Sequence, residues 1–313
     1  MDSLSHLVRT LSVSGRVDLH CLLAGIWIAD QPKAAPGHVP YHVIFSGKVR
    51  VRIGSSAQEF EAGDILIFPH GAGHVLESVA LDADNTPSND SVQQYFNGVV
   101  TEITHHGDGP TLEMLCGEFV LGEAGIWLLR ALPDVLPIRA KERPSILSLI
   151  GMMRDESVEP KPGSAAVVNE LSTALFTLLM RRVMTEKYVN GSVLALLADA
   201  RISRAVDAVL QNPAQAWTVD ALAKQAHLSR ATFARRFTQC SGMAPLEWVT
   251  QVRMELAARL LTHEGMAANH VAERCGYASE AAFGRVFKKH YQVGPGAYRR
   301  SMLNKNKPDH SYA

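Results

Sequence analysis

Two stretches in the last third of the chain, 217–240 and 267–290, repeat one pattern: a short helix, a tight turn, a capping serine, and a second helix built around Phe-x-x-x-Phe. Phenylalanines four apart lie one above the other on a helix, so each pair turns one face inward and leaves the opposite face to solvent. Such a repeat presents two helices at a set spacing, as a protein needs in order to enter successive major grooves of double-stranded DNA. The last third is therefore predicted to be an all-α domain of two helix-turn-helix units, and the pattern points to transcription regulation.

Within the first unit, Thr218 is placed to cap a helix over 219–226, because its side-chain oxygen satisfies an early orphan amide. His227 and Leu228 turn the chain, and Ser229 caps a second helix running to Gln239. With Phe233 and Phe237 inward beside Leu222, the residues Ala231, Ala234 and Arg235 look outward, flanked by Arg230, Thr232, Arg236 and Gln239. In the second unit 270–275 form the first helix, 276–278 the turn and Ser279 the cap. Phe283 and Phe287 point inward, Glu280, Ala281, Gly284 and Arg285 outward, and Lys288 and Lys289 toward a nucleic-acid backbone. A helix from Leu246 to about Thr262 joins the units, and a rigid joint holds the readers at one spacing where a flexible linker would not. Arg235 and Arg285 can each donate two hydrogen bonds to guanine O6 and N7, whereas Ala231 and Ala234 can touch only a thymine methyl. Thr218, Ser229 and Ser279, with the first-turn amides beside them, suit phosphates, as do Arg230, Arg236 and Lys288.

Charge follows the same division. The 313 residues sum to zero, but 1–198 hold 15 basic and 22 acidic residues, a net of −7, while 199–300 hold 14 and 8, a net of +6. Positive charge thus sits with the helical pattern, where it can meet phosphate. Residues 4–13 are interrupted by His6, Arg9 and Ser12 and do not read as a signal peptide, and no run reaches the length of a membrane span, so a cytoplasmic protein without membrane contact is expected. The four scattered cysteines, Cys21, Cys116, Cys240 and Cys275, are expected to be free thiols.

From Gly15 to Phe119 short alternating runs are separated by turns at Gly47, Gly54, Gly63 and 69–73, which suits a small antiparallel β-barrel; 82–90 reads as a surface loop. Beyond Gly122 the period becomes helical, with a short helix over 146–153, a break over 156–163, and a long apolar helix over 165–187. The row Leu171, Leu175, Leu178, Leu179 and Met180 is wider than one packed face needs, so this helix is expected to pack on the barrel and either against a partner subunit or within the chain. The expected organisation is a sensor and dimerisation domain at 1–190, the tandem helix-turn-helix domain at 199–300, and a flexible tail at 301–313, frayed from Asn304. By strand period, His42 and His74 face the barrel interior.

Residues 199–300 resemble the arabinose-regulator (AraC/XylS) family of bacterial transcription factors, most closely in Val271-Ala272, Cys275-Gly276-Tyr277, Ser279, Phe283, Arg285, Phe287-Lys288, Tyr291, Pro295 and Tyr298-Arg299. The resemblance implies DNA binding, often as a homodimer on paired sites, with RNA polymerase as a further partner. Two positions depart from it: Gln292 stands where the family usually has Gly, and Gly294 where it has Ser or Thr. The spacing Gly63-x5-Pro69-x-Gly71-x2-His74 is similar to the second cupin motif, with Ser78 in place of its terminal Asn. The first cupin motif has Pro40 at its glutamate position and lacks its paired histidines, which speaks against a cupin oxygenase or isomerase. A DNA-binding architectural protein without an effector remains a third reading. Met1-Asp2, Leu4-Ser5, Cys21, Cys116-Gly117, Trp217-Thr218-Val219 and Ser229-Arg230-Ala231 are similar to a branch of cupin-type members that includes a regulator of resistance to reactive chlorine. That resemblance implies oxidant sensing at Cys21 and Cys116. The same barrel residues, Cys21, His42, His74 and Cys116, also have donor types suited to Zn or Cu, and a small-molecule effector is the other open input.

Overall fold

The computed structural model describes residues 13–81, 92–121, 132–185, 193–262 and 264–305, with Leu4, Ser5, Val8 and Leu129. The chain divides into two compact units, Ser12–Tyr188, and Val189–Ala313 with Met1–Leu11. The expected loop at 82–90 lies outside the described residues.

In the first unit the alternating runs form β1 (Ser14–Ala24), β2 (Ile28–Gln31), β3 (His38–Ser46), β4 (Lys48–Ile53), β5 (Ser56–Glu61), β6 (Asp64–Ile67), β7 (His74–Ser78), β8 (Val92–Phe96), β9 (Thr101–His105), β10 (Thr111–Val120) and β11 (Leu136–Arg139). They build a seven-stranded sheet, β11-β6-β3-β10-β1-β9-β8, and a four-stranded sheet, β2-β7-β4-β5. The pairing is antiparallel except between β1 and β9, which run parallel. Ile44, Leu66, Leu112 and Met114 from the larger sheet meet Val49, Val51 and Leu76 from the smaller in a shared core. Gly47 turns β3 into β4 at φ 80°, and a Cβ there would stand 1.9 Å from the Thr111 carbonyl oxygen, so no other residue fits.

Helix α1 spans Pro144–Val158 and α2 spans Ser164–Val183. The first runs five residues beyond its predicted end, because Pro160 and Pro162 restrict only the residues directly before them. Packed against both the larger sheet and α1, α2 buries Val168, Ser172, Leu175, Phe176, Leu179, Met180 and Val183. The Gly15 amide donates to Thr173 Oγ1 (2.9 Å), the Tyr41 and Ser172 hydroxyls are 2.8 Å apart, and Phe176 meets Phe119 edge-on. Leu171 and Leu178 from the predicted apolar row are only half-buried.

The second unit is helical: α3 (Val193–Ala198), α4 (Ile202–Gln211), α5 (Val219–Gln225), α6 (Arg230–Ser241), α7 (Pro245–Thr262), α8 (Ala268–Arg274), α9 (Glu280–Tyr291) and α10 (Pro295–Lys305). Asn304 and Lys305, expected in a frayed tail, close α10, and 306–313 lie outside the described residues. The single helix α7 serves both readers. Its Trp248 meets Phe237 edge-on at 5.8 Å, and its Ala257, Ala258, Leu260 and Leu261 share a core with Phe283 and Phe287. From its middle, Arg253 donates to the carbonyls of Pro213 and Gln215 (both 2.8 Å) and lies over the Tyr277 ring. Gly276 takes φ 74°, and its missing Cβ leaves room for the Ala214 backbone.

Gln292 ends α9 in the left-handed conformation, φ 63°, where an L side chain crowds its own backbone. Gln292→Gly is expected to raise stability by about 1 kcal/mol, the relief of that strain less the entropy of a freer unfolded chain, measured by urea denaturation.

Candidate nucleic-acid interface and barrel cavity

The two readers are built alike. Thr218 Oγ1 accepts from the Ala221 amide (3.1 Å) at the start of α5, Ser229 Oγ from Thr232 (3.3 Å) at α6, and Ser279 Oγ from Ala282 (3.2 Å) at α9. Phe233, Phe237, Phe283 and Phe287 are fully buried, with ring centroids 5.5 Å apart in the first pair and 5.4 Å in the second. The opposite faces are open as the spacing requires: Ala231, Arg235, Glu280, Ala281 and Arg285 are exposed, and Ala234 and Gly284 half-buried. Arg230, Arg236, Lys288, Thr218, Ser229 and Ser279 are also exposed.

The cations differ in what they already hold. Arg230 lies 3.4 Å from Asp220, and Arg236 Nε donates to Asp199 Oδ2 at 2.6 Å. Among the described residues, Arg235, Arg285 and Lys288 have no ion-pair partner. Sequence reading missed Asp199, since a partner 37 residues away leaves no local signal.

In the barrel, Cys116 on β10 stands opposite Leu19 on β1 and His42 on β3, and Cys21 lies two residues along β1. Leu19, Cys116 and His42 thus form a row across three adjacent strands, with Cys21 diagonal to Cys116. The two cysteine side chains are buried and free. The nearby Cys21 thiol first, then burial, pushes the Cys116 thiol well above its ordinary pKa. Both cysteines line a cavity of about 410 Å³ whose other walls include Leu19, Trp27, Ile103, Met114 and His105. None of the wall residues besides the cysteines was singled out from sequence, because a cavity between two sheets has no period along the chain.

His42 and His74 are buried with their Nε2 atoms 2.8 Å apart. The tautomers follow from their partners. His74 Nδ1 donates to the Ala72 carbonyl (2.8 Å), so neutral His74 offers a lone pair at Nε2 and His42 Nε2–H donates to it. His42 Nδ1 is then a bare acceptor, buried with no hydrogen-bond partner among the described residues. Burial, and then the neighbouring His74, push His42 down to about 3; burial also lowers His74, against the opposing pull of the Ala72 carbonyl and Asp30.

Cys21, His42, His74 and Cys116, whose donor types also suit Zn or Cu, are not brought together as one donor group. Among the described residues no three His, Cys, Asp or Glu side chains stand as a metal-holding group. The two imidazoles hydrogen-bond to each other, and the two cysteines sit on neighbouring strands of the same sheet.

Comparison with known proteins fits this division. A family model described as a cupin matches residues 2–185, and one described as a helix-turn-helix domain matches 222–301. The chain is 30% identical over 303 residues to an uncharacterised HTH-type transcriptional regulator of Haemophilus influenzae, covering 96% of this chain and 99% of that protein. It is likewise 30% identical over 303 residues to the HTH-type transcriptional regulator MtrA of Neisseria gonorrhoeae, covering 96% and 98%. To the RCS-specific HTH-type transcriptional activator RclR of Escherichia coli it is 26% identical over 307 residues, covering 96% and 98%. The molecule is a two-domain, DNA-binding transcription regulator. It belongs to the AraC-type helix-turn-helix regulators that carry an N-terminal cupin domain. No helix among the described residues is long and apolar enough to cross a membrane.

The buried imidazole pair sets a pH dependence. An unfolded histidine takes a proton below about 6.5, while folded His42 stays neutral to about 3, so the unfolded state binds more protons across this window. Stability conferred by the neutral pair is present above the window and is lost as pH falls through it, on the order of 1 kcal/mol per pH unit. His42→Leu is expected to flatten this slope, read from urea denaturation at a series of pH values.

Proposed function

We propose that the protein is a cytoplasmic, homodimeric, sequence-specific transcription activator in which residues 1–190 receive an oxidant signal and residues 199–300 read DNA. Arg235 and Arg285 take guanines, with Ala231, Ala234, Glu280, Ala281 and Gly284 on the same base-facing sides. Thr218, Ser229, Arg230, Arg236, Ser279 and Lys288 hold phosphates. Support comes from the exposed faces opposite the buried phenylalanines and from the three capping hydroxyls. Dimerisation through the helices after the barrel is supported by Leu147, Met152 and Val167, large apolar side chains exposed on α1 and α2. Activation then needs RNA polymerase as a second partner.

The observation that carries the input reading is the pair of free cysteines, diagonal neighbours on β1 and β10, on the wall of one cavity. Hypochlorous acid entering there oxidises one thiol to a sulfenic acid, releasing chloride and a proton; the second thiol attacks that sulfur and expels water, leaving a disulfide. Burial and a raised thiol pKa slow such a reaction with weak oxidants, which selects for strong, small, neutral ones. Because Cys21 and Cys116 are diagonal rather than directly opposed, closing their sulfurs to about 2.05 Å shears β1 against β10. Both strands bear on α2, through Gly15 and Thr173 and through Phe119 and Phe176, so the strain reaches the dimerising helices. Cytoplasmic reductants reset the switch.

A second reading, in which a small apolar effector fills the cavity, is favoured by its Leu19, Trp27, Ile103 and Met114 walls. The two are separated by binding the reduced and hypochlorous-acid-treated protein to its own upstream DNA, with cysteine state read by mass spectrometry. A reversible Cys21–Cys116 linkage accompanied by changed affinity, both lost in Cys21→Ala/Cys116→Ala, is expected; unchanged binding and free thiols turn the search to apolar effectors. In the same assay Arg235→Ala and Arg285→Ala are each expected to cost about 1–3 kcal/mol and to relax preference at one base position.

A further inference from the structure

Reading helix α6 carries Arg230, Arg235 and Arg236, yet the structure leaves them in three different states. Arg230 faces Asp220 at 3.4 Å with both side chains more than half exposed, an arrangement too solvated to hold it firmly. Arg235 has no ion-pair partner among the described residues. Arg236 is held at 2.6 Å by Asp199, whose side chain is only 11% exposed. The two oxygens of Asp199 do different work. Oδ1 accepts from the amides of Arg201 (2.9 Å) and Ile202 (3.1 Å), capping α4, while Oδ2 accepts from Arg236. Burial alone would raise this carboxyl, but the Ile202 and Arg201 amides and then Arg236 hold it below its ordinary range. A carboxylate fixed by two backbone amides cannot follow a moving arginine. For Arg236 to reach a phosphate, it must let go.

We propose that Asp199 is an internal competitor for DNA phosphate at Arg236, so that the first reader presents a masked cation. The inference rests on α6 being a DNA-reading helix and goes beyond that reading by assigning a carboxylate the control of one of its contacts. It also sets the two readers' phosphate cations apart: Lys288 on α9 carries no ion pair among the described residues, while Arg236 on α6 is held by Asp199. Asp199 directly follows α3, which packs on α6, so the same stretch of chain that enters the helical unit also sets the grip on Arg236. Any displacement of α3 relative to α6 alters how tightly the arginine is masked.

The test uses the full chain, a duplex from its own upstream region and a scrambled duplex of equal length. Asp199→Asn keeps an amide oxygen for the α4 cap and loses the charge that holds Arg236; Asp199→Ser, also a capping residue, serves as a second variant, and thermal unfolding checks that each is folded. Both variants are expected to bind both duplexes more tightly at low salt. Their dependence of log K on log salt should steepen by about 0.9, which is about threefold more affinity lost between about 50 and 200 mM salt than in the wild type. Adding Arg236→Gln should erase both the gain and the extra slope. An unchanged slope in folded Asp199 variants, or a gain that survives removal of Arg236, overturns the proposal, the latter by reducing Asp199 to a general negative charge near DNA. Loss of all DNA binding by the wild-type protein would instead overturn the reading of α6 itself.

Discussion

The orientation of both reading helices depends on two pairs of phenylalanines pressed toward one shared helix. Phe233 and Phe237 pack beside Trp248 at one end of α7, and Phe283 and Phe287 share a core with residues 257–261 at the other. Burying a phenylalanine side chain is worth about 1.5–3 kcal/mol, so each pair commits more free energy to its facing than one good base contact returns. The helices therefore cannot roll to suit a DNA site. The core decides which side chains are offered, and Arg253 adds a brace by joining the 213–215 backbone to the Tyr277 turn.

The barrel is organised around polar groups that burial makes demanding. Two imidazoles and two thiols sit among Phe68, Leu66, Leu76 and Met114; the imidazoles hydrogen-bond to each other and the cysteines are diagonal neighbours on β1 and β10. A buried polar group without a partner costs free energy comparable to a lost hydrogen bond, so these pairs are maintained unless chemistry changes one member. Oxidation of a thiol is such a change. Because the cysteines lie on adjacent central strands, it cannot be absorbed at an edge, and the strands that carry them also carry the contacts to α2.

Much of this was legible in the chain. Helical period, capping Ser and Thr, and paired phenylalanines act over fewer than a dozen residues, so α5, α6, α8 and α9 and their inward faces followed from the order of side chains alone. The strands around Gly47 and the interior direction of His42 and His74 were legible for the same reason. Other features were not. The Asp199–Arg236 ion pair joins residues 37 apart, and the parallel pairing of β1 with β9 spans a still longer stretch. The metal-site alternative rested on donor type, which says nothing about whether four side chains converge; in the fold they do not form one donor group.

The sequence by itself determined a two-domain regulator with two readers of one design, because local spacing dictates which face of a helix can be buried. Tertiary structure alone decided which arginines are unpaired, that Cys21 and Cys116 lie on neighbouring strands of one sheet, and that a cavity opens beside them. Those are properties of side chains brought together from distant strands and helices, where register and packing, not order along the chain, set the distances.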